Sequence, residues 1–106
     1  MKTLKFAGQL PKLILQCTKT VTWRINDDKN IVEGDILSLC TSDSEEFAQA
    51  VVTKIGMRTL GTLTAEDKEG HEVFSSEQEM YDTYSRYYYM PVTKETQVKV
   101  IHLKLI

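Results

Sequence analysis

The hydrophobic pattern of the chain changes period several times. Thr3 to Phe6 is a short run suited to a strand, and Gly8 interrupts it. Leu10, Leu13, Ile14 and Cys17 then recur at i, i+3, i+4 and i+7, the stripe of a helix with one buried face, with Pro11 tolerable in its first turn. This predicts a helix from about Pro11 to Cys17. From Lys19 to Ile25 the period falls to two, with Val21, Trp23 and Ile25 on one face and Thr20, Thr22 and Arg24 on the other. That is the clearest strand of the first half.

Asn26 to Asn30 is polar and turn-like, and Glu33-Gly34-Asp35 leads into a strand over Ile36 to Cys40. After a polar turn over Thr41 to Glu45, Phe47 to Ile55 reads as a strand that Arg58 to Leu63 extends or pairs beyond Gly56. Thr64 with Asp67 imitates a capping box, so Ala65 to Glu69 is a helix of one or two turns that stops at Gly70. Ser75 or Ser76 caps a longer helix carrying Met80, Tyr81, Tyr84 and Tyr88 along one side, which ends by Met90 because Pro91 disfavours helical geometry before it. Thr96 to Leu105 closes the sequence as a strand. Its apolar phase slips between Val100 and Ile101, which calls for a bulge or a strand buried on both faces.

Strands joined by tight turns cannot be parallel neighbours, because a parallel crossover needs a dozen or more residues. The expected class is therefore α+β: a mixed or antiparallel β-barrel, closed or nearly so, of about six strands with two to three flanking α-helices. The length, 106 residues, suits one domain over residues 1–106. Hydrophobic (42%) and charged (26%) fractions are those of an ordinary globular chain and exclude disorder and low complexity. No apolar run reaches the roughly 18 residues of a membrane span, and the first residues lack a secretory signal. The expectation is a cytoplasmic protein without membrane contact, monomeric by default. Cys17 and Cys40 are too few and too far apart for a disulfide framework, and with His71 and His102 they form no metal-ligand spacing, so no metal or cofactor is expected.

Charge is unevenly spread although the net value is only −2. Residues 1–24 hold Lys2, Lys5, Lys12, Lys19 and Arg24 and no acid, whereas Ala65 to Asp82 holds Glu66, Asp67, Glu69, Glu72, Glu77, Glu79 and Asp82 against Lys68 alone. The densest set of functional groups is Lys19-Thr20-Val21-Thr22-Trp23-Arg24. Strand alternation aligns two hydroxyls with a guanidinium, and Lys19 stands just before them, a row able to hold an anion or a planar polar ring. A barrel strand with a solvated face explains the same residues equally simply.

Lys-Thr-Val-Thr-Trp-Arg after an amphipathic helix, then Glu33-Gly34-Asp35-Ile36-Leu37, then Thr62-Leu63-Thr64 at the end of a later strand, resembles the ASCH domain, whose fold is PUA-like. Many ASCH sequences carry an acid where Thr22 stands; the threonine is similar to the small bacterial N(4)-acetylcytidine amidohydrolases of the same fold. The resemblance implies a cleft beside the first helix that takes RNA or a modified nucleoside, lined by Lys19, Thr20, Thr22 and Arg24. It also implies, as an alternative, an amidohydrolase deacetylating N(4)-acetylcytidine with Lys19 as activating group, Thr22 as nucleophile and Glu69 as the third residue, Glu66 and Glu72 lying close enough to take that place. A threonine nucleophile needs a neighbouring base, which a lysine supplies when burial or another cation lowers its pKa. Tyr87 and Tyr89 are the tyrosines expected to be exposed, while Tyr84 and Tyr88 belong to the core or its rim.

Overall fold

The computed structural model describes residues 1–106. In chain order it contains β1 (Lys2–Phe6), α1 (Leu10–Leu15), β2 (Val21–Arg24), β3 (Ile36–Thr41), β4 (Glu46–Thr59), a 3-10 turn at Leu60–Thr62, α2 (Ala65–Lys68), α3 (Glu77–Tyr88) and β5 (Gln97–Leu105). The strands form one mixed sheet in the order β1-β3-β4-β5-β2. Only β1 and β3 are parallel, Lys2 facing Leu37 and Phe6 facing Thr41; the pairs β3–β4, β4–β5 and β2–β5 are antiparallel. The sheet is an α+β half-barrel with five strands rather than about six. The difference lies in β4, which passes Gly56 without a break because β5 is long enough to pair with it from Ala50 to Thr59.

The slipped phase of the last strand has a clear origin. Val98 and Val100 join a core with Val21, Trp23, Leu60, Met80 and Tyr84, whereas Ile101 joins a second core with Leu4, Phe6, Ile14, Leu37 and Leu39. β5 is therefore buried on both faces. A register shift also occurs, but in the partner strand, between Val52 and Lys54.

The barrel does not close through backbone pairing, since β1 and β2 are the two edges. Side chains bridge them instead. Arg24 Nη2 donates to the Lys5 carbonyl at 2.8 Å, its guanidinium lies 4.6 Å from the centre of the Phe6 ring, and Lys29 Nζ donates to the Thr3 carbonyl. Cations thus occupy acceptors that an open edge would offer to another chain.

Helix α2 is fixed by the capping box of Thr64 and Asp67, and α3 by Ser76, whose hydroxyl accepts from Glu79 N at 3.1 Å. α1 stops at Leu15, before the expected Cys17, because Cys17 adopts φ 60° and turns the chain toward β2. No helix is long and apolar enough to cross a membrane.

Candidate functional site

The open seam between β1 and β2 leads into a cavity of about 720 Å³ whose lining includes Lys19, Thr22, Arg24 and Glu72, with Tyr84 and Tyr87 to Tyr89 on the α3 side. Lys19 enters from the turn after α1, where its N–H donates to the Leu13 carbonyl at 3.1 Å. Its side chain is only 4% exposed, and Nζ donates to the Val21 carbonyl at 2.8 Å and to Glu72 Oε2 at 2.6 Å. Burial lowers the Lys19 pKa; Glu72 works in the opposite direction and Arg24 adds to the lowering.

Thr22 is buried, and its Oγ1 accepts from Arg24 Nε at 3.0 Å. Because that bond occupies an acceptor position of the hydroxyl, its proton is free to be donated or removed elsewhere. The same guanidinium reaches β1 through Lys5, so Arg24 joins the threonine to the opposite edge of the barrel.

Glu72 is far away in sequence and arrives through a glycine. Gly70 takes φ 80°, and its carbonyl accepts from Thr20 N at 2.8 Å and Val21 N at 3.3 Å. A Cβ at this position would stand 2.1 Å from Thr20 Oγ1, so glycine is required both for the turn and for the close approach. Trp23 Nε1 donates to the Asp67 carbonyl at 3.0 Å and completes the docking of this segment on β2. Burial tends to raise the Glu72 pKa, but Lys19 and His71 outweigh it, and the carboxyl titrates below its usual value.

His71 lies beneath Glu72. Its ring stacks on Trp23 at 3.6 Å between centroids and 8° between planes. Nδ1 is 2.9 Å from the Glu72 carbonyl, which can only accept, so Nδ1 carries the proton and Nε2 receives the Tyr84 hydroxyl proton at 3.2 Å. Burial, reinforced by Lys19, lowers the His71 pKa to about 4, and the imidazole is neutral at physiological pH. Burial in turn raises the Tyr84 pKa well above its ordinary value, so the phenol keeps its proton.

No protein-family model matches the sequence, and no curated protein matches it. Solved structures do. A protein from Enterococcus faecalis V583 described by the DUF984 family model aligns at TM-score 0.81 and 12% identity, over 100% of this chain and 80% of its own. The ASCH domain from Lactobacillus crispatus JV V101 aligns at TM-score 0.69 and 13% identity, over 98% of this chain and 79% of its own. ASCH from Zymomonas mobilis aligns at TM-score 0.67 and 17% identity, over 96% of this chain and 65% of its own. The fold is that of ASCH domains.

On this ASCH fold Lys19, Thr22 and Arg24 face one cavity, but three other residues singled out from the sequence stand elsewhere. Thr20 precedes β2 and borders a separate hollow of about 140 Å³ with Ile14, Cys17 and Lys104. Glu69, the C-cap of α2, is exposed and absent from the cavity lining; the carboxylate that reaches Lys19 is Glu72. Glu66 instead pairs with Lys54 on β4. Tyr84 is buried as its helical spacing predicted, whereas His71, its partner, had no sequence signal beyond following Gly70. The site therefore combines a buried ammonium, a carboxylate, a buried hydroxyl and a guanidinium, with aromatic rings to one side.

Proposed function

We propose that the cavity recognises RNA or a modified nucleoside, holding a base among Lys19, Thr22, Arg24 and Glu72. One observation carries this reading: donors and an acceptor of fixed geometry, drawn from β2, the turn before it and the segment after α2, open on a single cavity with tyrosines beside it. Pockets of this size enclose small organic ligands, and a few converging polar groups orient them. Titration with short single-stranded and structured RNAs and with N(4)-acetylcytidine, followed by amide chemical shifts at low salt, tests it. Shifts should gather over Lys19 to Arg24 and at Glu72. Their absence under conditions that favour phosphate contacts removes the proposal.

A second reading, hydrolysis of the amide of N(4)-acetylcytidine, is favoured by the lowered pKa of Lys19 in the same cavity as the Thr22 hydroxyl. Lys19, once neutral, accepts the Thr22 proton as Oγ1 attacks the acyl carbon. The C–N bond breaks, the proton passes to the leaving amine of cytidine, and water then cleaves the acyl ester to release acetate. The hydrogen bond from Arg24 Nε to Thr22 Oγ1 favours the negative charge that builds on this oxygen. Acetate release that is lost in Thr22→Ala and Lys19→Ala supports hydrolysis, and a rate equal to that of buffer excludes it for this substrate.

A further inference from the structure

At the C-terminal end of α3, Tyr89 occupies the left-handed region with φ 53° and ψ 39°, a conformation that a residue with a Cβ adopts only at a cost. Glycine or asparagine is the usual occupant. The ring repays nothing to the fold, since Tyr89 is 95% exposed, yet it borders the cavity. Tyr87, 54% exposed, also borders it and meets the buried Tyr84 edge-on at 6.0 Å. The neighbouring Tyr88 is engaged differently, its hydroxyl accepting from Ile25 N at 3.1 Å. Across the mouth, exposed Lys5 on β1 forms no side-chain hydrogen bond or ion pair within the protein. The acids of α3, Glu77, Glu79 and Asp82, lie toward the other end of the helix, and Arg86 is in its last turn.

From this arrangement we infer that Tyr89 and Tyr87 form a stacking platform for a second base, adjacent in the strand to the one held in the cavity. The inference rests on the nucleoside reading and deepens it: the preferred ligand is a modified nucleotide inside single-stranded RNA, with Lys5 placed to meet the connecting phosphate. An exposed aromatic ring offers a stacking face to any base and so selects for a strand rather than for a sequence. The left-handed backbone at Tyr89 turns this ring away from the helix core.

The experiment compares N(4)-acetylcytidine with a trinucleotide carrying it between two uridines. Apparent affinity is read as Kd, or as KM where the ligand is turned over, in the wild type, Tyr89→Ala, Tyr87→Ala and Tyr89→Trp. The trinucleotide should be favoured roughly tenfold or more, the scale of one stacked base. Tyr89→Ala should erase most of that preference and Tyr87→Ala part of it, each lowering trinucleotide affinity far more than nucleoside affinity, while Tyr89→Trp keeps it. Equal affinity for the two ligands, with shifts at Lys19 to Arg24, overturns the platform and leaves the nucleoside reading standing. So does a Tyr89→Ala loss that falls equally on both ligands. Absence of response to either ligand over Lys19 to Arg24 overturns both.

Discussion

Glu72 Oε2 stands 2.6 Å from the Lys19 ammonium, and the two members of this pair are unequally buried, 4% of the lysine side chain being exposed against 27% of the glutamate. The asymmetry decides what the pair does. Lys19 has lost nearly all its water, so its charged form depends on Glu72 and the Val21 carbonyl. Glu72 keeps a route to solvent and to whatever enters the cavity. A ligand that draws Glu72 away therefore lowers the proton affinity of Lys19 and favours its neutral form, coupling occupancy to the protonation of the lysine.

Glu72→Gln should destabilise the protein by roughly 1–3 kcal/mol. That is less than the cost of breaking a fully buried ion pair, because Glu72 is partly solvated, but it still leaves a buried ammonium without its counter-charge. Urea unfolding monitored by Trp23 fluorescence reads the change. A midpoint equal to that of the wild type would show that the pair contributes nothing to folding.

His71 makes stability depend on pH in a predictable direction. Its folded pKa of about 4 lies below the 6.5 of an unperturbed histidine, so the unfolded chain binds the proton more readily between these values. Stability is then full above about pH 6.5 and falls as the pH drops toward 4, by about 3 kcal/mol across the window. Glu72, Asp67 and Asp27, all with lowered pKa values, add their losses at more acid pH. Between pH 6.5 and 5 the slope belongs mainly to His71. His71→Phe, which can still stack on Trp23, should flatten the curve there, and an unchanged slope would assign it to another group.

Gly70→Ala combines a positive φ with a Cβ placed 2.1 Å from Thr20 Oγ1. The expected loss is roughly 2 kcal/mol or more, about half from the left-handed backbone and the rest from displacing the contact with β2. Adding Thr20→Gly relieves the clash but not the backbone strain, so the double variant should recover only part of the stability. Full recovery would mean that sterics alone demand the glycine.

Legibility in the sequence followed the range of the interactions. The strand over Val21–Arg24 declared itself because alternation needs only neighbouring residues, and the capping box of α2 and the Ser76 N-cap of α3 because a cap spans three positions. The same alternation put Thr20 beside Thr22, but the strand begins at Val21 and Thr20 is held by Gly70 outside it. Glu72 could not be chosen over Glu69 from periodicity, because its position depends on a turn at Gly70 docked against a strand about fifty residues earlier. Gly56 suggested a break in β4, but β5 pairs with the strand on both sides of this glycine, from Ala50 to Thr59. The double burial of β5 left its trace as a slipped apolar phase, readable as an anomaly whose cause, two cores on opposite faces, appears only in three dimensions.

Tyr89→Gly tests the structural side of the strained backbone. With φ 53° and a ring 95% exposed, the tyrosine contributes little packing, and glycine should stabilise the protein by roughly 0.5–1 kcal/mol. The shift in thermal midpoint is the readout. A loss of stability would reveal that the ring packs in solution and would weaken the case for it as a free stacking surface.

Arg24 joins the two edges of the half-barrel, and a lysine cannot reproduce the join. The guanidinium donates through Nε to Thr22 Oγ1 and through Nη2 to the Lys5 carbonyl, while its plane lies over Phe6. An ammonium lacks that fork and the flat face. Arg24→Lys should cost about 1–2 kcal/mol overall, the range for losing one or two charged hydrogen bonds in a partly solvated site. The loss should be local, since β1 is otherwise held only by its parallel ladder with β3 and by side chains, whereas β4 and β5 pair along most of their lengths. Amide exchange of β1 should quicken by an order of magnitude or so while that of β4 and β5 changes only with global stability. Uniform acceleration across all five strands would mean that the seam opens only when the whole sheet does, and that Arg24 shapes the cavity without acting as its latch.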